Sequence, residues 1–193
     1  MDFRLLGGWS DIADDVYGSA CAAGWSEFRG ALMYQRRFES LLQVHAAPEA
    51  VFEFVDDHAR LSGHMMTSSS MMAGGRMTIA SDAGHGRVVG SHITMSGRVL
   101  GFRLFLDEVI TKRYPPMRKE WETAGMPRLL IIGAYRMGTV IERVSGGSRV
   151  SVFIEYDLPR SVWGHVLGWL VGGIYARWCV RQMLNGIASE FRS

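Results

Sequence analysis

Glu108 and Tyr135 are the residues of this chain whose type and setting point most directly to chemistry. Glu108 lies in GFRLFLDEVIT, where Phe102, Leu104 and Leu106 share one face of a strand. Strict alternation puts the carboxylate on that face too. A carboxylate facing an apolar cavity is desolvated and gains affinity for a proton, which suits acid or base work. The competing reading is a bulge or strand end that turns Glu108 to water and leaves Val109 inside. It is the favoured one, because buried unpaired glutamate is rare. Tyr135 and Arg136 are adjacent on a strand and point to opposite faces. Tyr135 is the inward choice, with a ring to pack and a hydroxyl to orient a ligand oxygen or polarise a carbonyl. Arg136 then faces solvent.

The other candidates have simpler readings. His64 stands among Met65, Met66, Met71, Met72 and Met77. Thioether and imidazole ligands suit a soft metal such as Cu(I), yet no second His or Cys joins them at ligand spacing. An adaptable Met-rich pocket mouth accounts for the cluster better. Ser68, Ser69 and Ser70 have no partner base and no nucleophile-elbow turn around them. His45 and His58 flank the first helix region, His85 lies in a turn, and His92 sits opposite Ile93 on the outer face. Without HxxxH or CxxC pairs, a zinc site has no support. The Gly pairs lack the strand–loop–helix context of a phosphate loop. Neither metal nor cofactor is expected.

The elements that must position these residues follow from periodicity. FESLLQVHA reads as a strand. AAPEAVFEFVDDHARL follows, with Pro48 opening a helix and Glu49 in its first turn. A second short helix is expected near Asp57–Ser62. GRMTIAS, RVVGSHITMSGRV, GFRLFLDEVITKRY, MRKEWETAG, PRLLIIGAYRMGTVIERV and RVSVFIEYDLP read as successive strands, the last two joined by a hairpin at Ser145-Gly146-Gly147. Val89 is expected to share a face with Ile93 and Met95, and Met117 with Trp121. One long helix, from about Ser161 to Phe191, closes the chain. The order gives an α+β domain: an antiparallel sheet of about six to seven strands covered by one helix, with two short helices after the first strand.

Residues 1–34 read differently. Ser10 is a candidate N-cap, and Ile12, Val16 and Ala20 come four apart. The division is an N-terminal extension, 1–34, and a ligand-binding domain, 35–193. The opening MDFRLLGGWSDIADD lacks the pattern of a secretory signal. Cys21 and Cys179 are read as lone thiols in a reducing cytosol, which makes the expected location cytoplasmic. With 21 Lys+Arg against 19 Asp+Glu, composition offers no nucleic-acid footprint.

The element order, PEAVFEFVDDHARL, VGSHITMSGR, EVITKRYPPMRKEW, SGGSRVSVFIEYDLP and the long last helix resemble the SRPBCC superfamily, the START-like helix-grip group, closest to its polyketide cyclase/dehydrase-like branch. The resemblance covers about residues 37–192. It implies a deep apolar cavity under the last helix and brings no fixed catalytic residue with it, since a fold does not specify chemistry.

WGHVLGWLVGGIYARW is the unusual stretch. From Val162 to Ala176 there is no charged side chain, and Gly164, Gly168 and Gly172 fall four apart. Each helical Gly costs about 1 kcal/mol relative to Ala, so a row of three needs a reason. Close packing on the sheet or a hollow above it supplies one. Trp163, Trp169, Tyr175 and Trp178 cannot all face one sheet, which keeps a membrane-surface or dimer contact in view; a true span is disfavoured by length. The expected work is binding a hydrophobic small molecule (a lipid, quinone or polyketide-like ring system). Its liners would be Met95, Leu104, Leu106, Trp121, Tyr135, Ile154, Tyr156, Leu167 and Trp169. A cyclase or dehydratase in the same cavity, with Glu108 and Tyr135, is one alternative. A membrane-docked or homodimeric interaction protein using the last helix is the other.

Overall fold

The computed structural model describes residues 34–63, 76–99 and 101–192. The N-terminal extension and the His64–Met72 cluster with Ser68–Ser70 therefore lie outside the described residues. Among the described residues ten elements follow in order: β1 (Arg36–Val44), α1 (Pro48–Asp56), α2 (His58–Leu61), β2 (Arg76–Ser81), β3 (His92–Val99), β4 (Phe102–Tyr114), β5 (Arg118–Thr123), β6 (Tyr135–Val144), β7 (Gly147–Tyr156) and α3 (Val162–Glu190). The seven strands form one antiparallel sheet in the order β1-β7-β6-β5-β4-β3-β2. This is the α+β helix-grip architecture that the element order implies.

Local sequence explains the elements. Pro48 opens α1, and Val51, Phe52 and Val55 bury its inner face. Asp57 caps α2 by accepting the amide of Arg60 at 3.1 Å. Ser161 caps α3 by accepting the amide of Gly164 at 3.2 Å. On β7, Val150, Val152, Ile154 and Tyr156 face the core as the alternation requires.

Three strand expectations are corrected. RVVGS does not join β3, and Val88 and Val89 are exposed because the chain turns there, with Gly90 at φ +85°. Met117 is exposed while Trp121 is fully buried, because β5 begins only at Arg118. PRLLII is not strand. Its backbone hydrogen bonds with other segments lie at its ends, Arg128 with Phe105 and Gly133 with Asp157.

One bulge in β4 matters for charge placement. The register with β5 shifts between Ile110 and Lys112, so in–out parity flips there. Arg113 thus reaches Asp56 at the end of α1, while Lys112 stands 3.6 Å from Glu120 on the other face.

The glycine row of α3 turns inward. Gly168, Gly172 and Ala176 are buried. A Cβ at Gly168 would lie 2.5 Å from the carbonyl oxygen of Ile131, so only glycine allows the helix to approach the 129–132 segment this closely. At this end of α3 the row serves backbone packing rather than an open hollow.

Candidate functional site

Among the titratable groups on the inner face of the sheet, Glu108 and Tyr135 enter the part of the interior lined mostly by apolar side chains. Leu104, Leu106, Glu108 and Ile110 alternate inward along β4, and Glu108 is buried beside its cross-strand neighbour Ile93. The favoured sequence reading of Glu108 is therefore wrong: the strand runs on past it to Tyr114, no bulge intervenes before Ile110, and Val109 takes the outward position. Tyr135 opens β6 with its amide donating to Thr123 Oγ1 at 3.2 Å. That places its buried ring toward Glu108, and its hydroxyl donates to Glu108 Oε1. Arg136 points the other way and donates from Nε and Nη2 to the one oxygen Glu155 Oε2, at 3.0 and 2.6 Å, rather than merely being solvated.

His58, the first residue of α2, completes the group. Its Nε2 lies 2.9 Å from Glu108 Oε2, and both side chains are buried. The contact lacks hydrogen-bond alignment: neither of these atoms nor His58 Nδ1 has a hydrogen-bond partner among the described residues. The imidazole packs edge-on against Trp121, with ring centroids 5.1 Å apart. Sequence reasoning passed over His58, and nothing in the local pattern distinguishes it from a core histidine. Only the fold brings α2 over β4.

Burial, and then the negative charge and hydrogen bond of Glu108, hold the Tyr135 hydroxyl well above its ordinary pKa. It therefore stays protonated across the neutral range, with its proton committed to Glu108. Its oxygen lone pairs remain available to a donor. Nearby on α3, burial and then Cys179 raise Tyr175, and burial pushes the Cys179 thiol up to about 12. That thiol is not a nucleophile at neutral pH.

These groups border a cavity of about 20 Å³, lined among others by Met95, Leu106, Glu108, Tyr135, Ile154 and Cys179. That volume holds about one water, so the deep hollow expected under the last helix is corrected to a nearly filled interior. The filler is the segment misread as strand. Leu129 and Ile132 line the cavity. They also line a shallow groove of about 50 Å³ with Leu104, and a cleft of about 520 Å³ beside Pro159 and His165. These two side chains are the shared partition between three spaces. On the other side, His58 lines an outer groove of about 400 Å³ with His85 and Arg87.

The expected liners divide accordingly. Met95, Leu106, Tyr135 and Ile154 border the inner cavity, and Leu104 borders the groove. Trp121 and Tyr156 are buried, but Trp121 packs beneath His58 and Tyr156 beneath Gly172. Leu167 and Trp169 are corrected: they are 43% and 63% exposed, because the inward face of α3 belongs to glycine. No group of three or more His, Cys, Asp and Glu among the described residues could hold a metal ion.

No protein-family model matches the sequence, and no curated protein matches it. Solved structures do. The di-domain ARO/CYC protein BexL superposes with a TM-score of 0.59 at 15% identity, over 96% of this chain and 60% of that one. A Thalictrum norcoclaurine synthase point mutant, in complex with a transition-state analogue, gives 0.57 at 12% identity, over 81% and 93%. Major latex-like protein 151 from Panax ginseng gives 0.54 at 9% identity, over 82% and 98%. At these identities the likeness establishes the fold alone: the helix-grip fold of the SRPBCC, or Bet v1-like, proteins.

Proposed function

We propose that this helix-grip chain binds an apolar, ring-bearing small molecule with a hydroxyl group, placed between the sheet and α3 with the hydroxyl at Tyr135. The observation that carries the reading is the buried set Tyr135–Glu108–His58 at the edge of an apolar cavity. A buried carboxylate with an unsatisfied oxygen costs stability, and Glu108 lines the cavity beside Tyr135, where a donating ligand hydroxyl offsets that cost. Apolar burial supplies affinity at about 25 cal/mol per Å². Because Tyr135 donates to Glu108, its oxygen selects a ligand that donates. Admission requires Leu129 and Ile132 to swing aside, joining the inner cavity to the adjoining cleft. Native mass spectrometry of the full chain followed by organic extraction tests this. A copurifying hydroxylated apolar compound is the expected result. Protein at its bare mass, with a melting temperature indifferent to such compounds, overturns it.

A second reading, proton-transfer catalysis of the cyclase or dehydratase kind, is favoured by one feature. Glu108 accepts from Tyr135, which borders the cavity, and stands 2.9 Å from His58, which borders the outer groove, so a small rotation of the imidazole would complete a proton path between the two spaces. Turnover of a poly-β-ketone thioester mimic that Glu108→Gln abolishes would support it; recovery of the mimic unchanged counts for binding alone.

A further inference from the structure

α3 carries a second apolar face that the interior does not use. Opposite the glycine row, Trp163, Leu167, Leu170 and Ile174 recur at three- and four-residue spacing, and Val166 lies alongside. All five are exposed, Trp163 at 85%, and Trp169 flanks them at 63%. Arg177 and Arg181 continue the same stripe beside a groove of about 430 Å³ that Ile174 and Trp178 also line. At the other end Arg160 precedes the helix and contacts the exposed Met126. No acid occurs from Val162 to Ser189. The first, Glu190, is paired with Arg60 at 2.8 Å.

We infer that this face docks on the surface of an anionic phospholipid bilayer. The stripe from Trp163 to Arg181 is about 27 Å long, and no described helix is long and apolar enough to cross a membrane. An amphipathic helix lying in the interface is the geometry left for it. Tryptophans suit that depth, and an arginine pair beside apolar residues suits a phosphate next to acyl chains. A second copy of the chain fits less well. A two-fold pairing of this face, parallel or antiparallel, would set the arginines of one copy, Arg160, Arg177 and Arg181, near those of the other with no helix acid between them. The face adjoins the cleft beside Pro159 and His165, so docking would set that opening near lipid. The inference nevertheless stands on the helix surface and does not depend on what the cavity holds.

Flotation of the full chain with vesicles tests it, using phosphatidylcholine alone and phosphatidylcholine with about one-third phosphatidylglycerol. Binding to the anionic vesicles, weakening several-fold as salt rises to physiological strength, is expected. The pair Trp163→Ala/Trp169→Ala should lower partitioning roughly ten-fold or more. Arg177→Gln/Arg181→Gln should remove the preference for anionic lipid. Both pairs lie on the surface, and an unchanged melting temperature checks that they fold. Absence of binding to either vesicle, or binding that both pairs leave intact, overturns the inference. A dimer in sedimentation velocity that the tryptophan pair dissociates, with no vesicle binding, assigns the face to a second copy instead. None of these outcomes bears on extraction of a ligand from the interior.

Discussion

Two clusters of charge are buried under the short helices, and they differ in how fully they are satisfied. Beneath α1, Asp56 receives Arg113 through two bonds of 2.9 and 2.8 Å, and Lys119 Nζ lies 3.3 Å from its Oδ1. Lys119, fully buried, also donates to the Asp56 carbonyl at 2.8 Å. None of these atoms is left over. Beneath α2, Glu108 has one formed bond, to Tyr135, while its other oxygen and both His58 nitrogens have no hydrogen-bond partner among the described residues. Only the second cluster borders the inner cavity. A satisfied cluster holds the fold together. An unsatisfied one beside a cavity costs the fold free energy, and that cost is the reason to assign it a ligand.

Removing one partner should separate the two most sharply. Asp56→Asn leaves Lys119 buried without its counter-charge and should cost about 3–5 kcal/mol, read from urea unfolding. Tyr135→Phe should cost about 1.5–3 kcal/mol, the range for a hydrogen bond to a charged group. Equal losses in these two variants would erase the distinction.

Titration separates the Lys119 cluster from the groups that border the inner cavity by sign. Burial, partly offset by Asp56, lowers Lys119 to about 8 in the folded chain. Between there and its unfolded value near 10.5, the unfolded chain binds more protons, so this group makes stability rise with pH. Cys179 acts oppositely. Its folded value of about 12 lies above the unfolded 9, so the folded chain keeps a proton that the unfolded chain loses. Stability then falls by about 1.4 kcal/mol per pH unit through that window. Tyr135 and Tyr175, raised by burial, add to the fall above their ordinary range. Cys179→Ala should flatten the alkaline slope of unfolding free energy by about that amount per pH unit; an unchanged slope would place the thiol in contact with water. The smallest stability effect is expected of Glu108→Gln, within about 1 kcal/mol of the parent, because it removes a poorly compensated charge.

The fold was legible because its signals are local. Alternation on β7, Pro48 at the start of α1, Ser161 before α3 and the turn at Gly146-Gly147 are each readable within a few residues. The site was half legible. Alternation alone placed Glu108 inward, and the general rarity of buried glutamate argued wrongly against it. The compensating partners, Tyr135 and His58, lie far along the chain, and no spacing rule connects them. PRLLII misled for a related reason. An apolar run reads the same whether it pairs in a sheet or packs as irregular chain over a cavity, and here Gly168 of α3 makes room for it. Leu167 and Trp169 failed although the glycine row was expected to face the sheet: each lies about 100° around the helix from Gly168, on the flanks of the inward face, where both are exposed.

The central claim, a donor-selective apolar site at Tyr135, is tested most directly by titrating the protein with 2-naphthol and with naphthalene by calorimetry. The account predicts that 2-naphthol binds roughly ten-fold more tightly, about 1.4 kcal/mol. That preference should disappear in Tyr135→Phe and weaken in Glu108→Gln. Equal affinities for the two compounds, no binding of either, or a preference that both variants retain would contradict it.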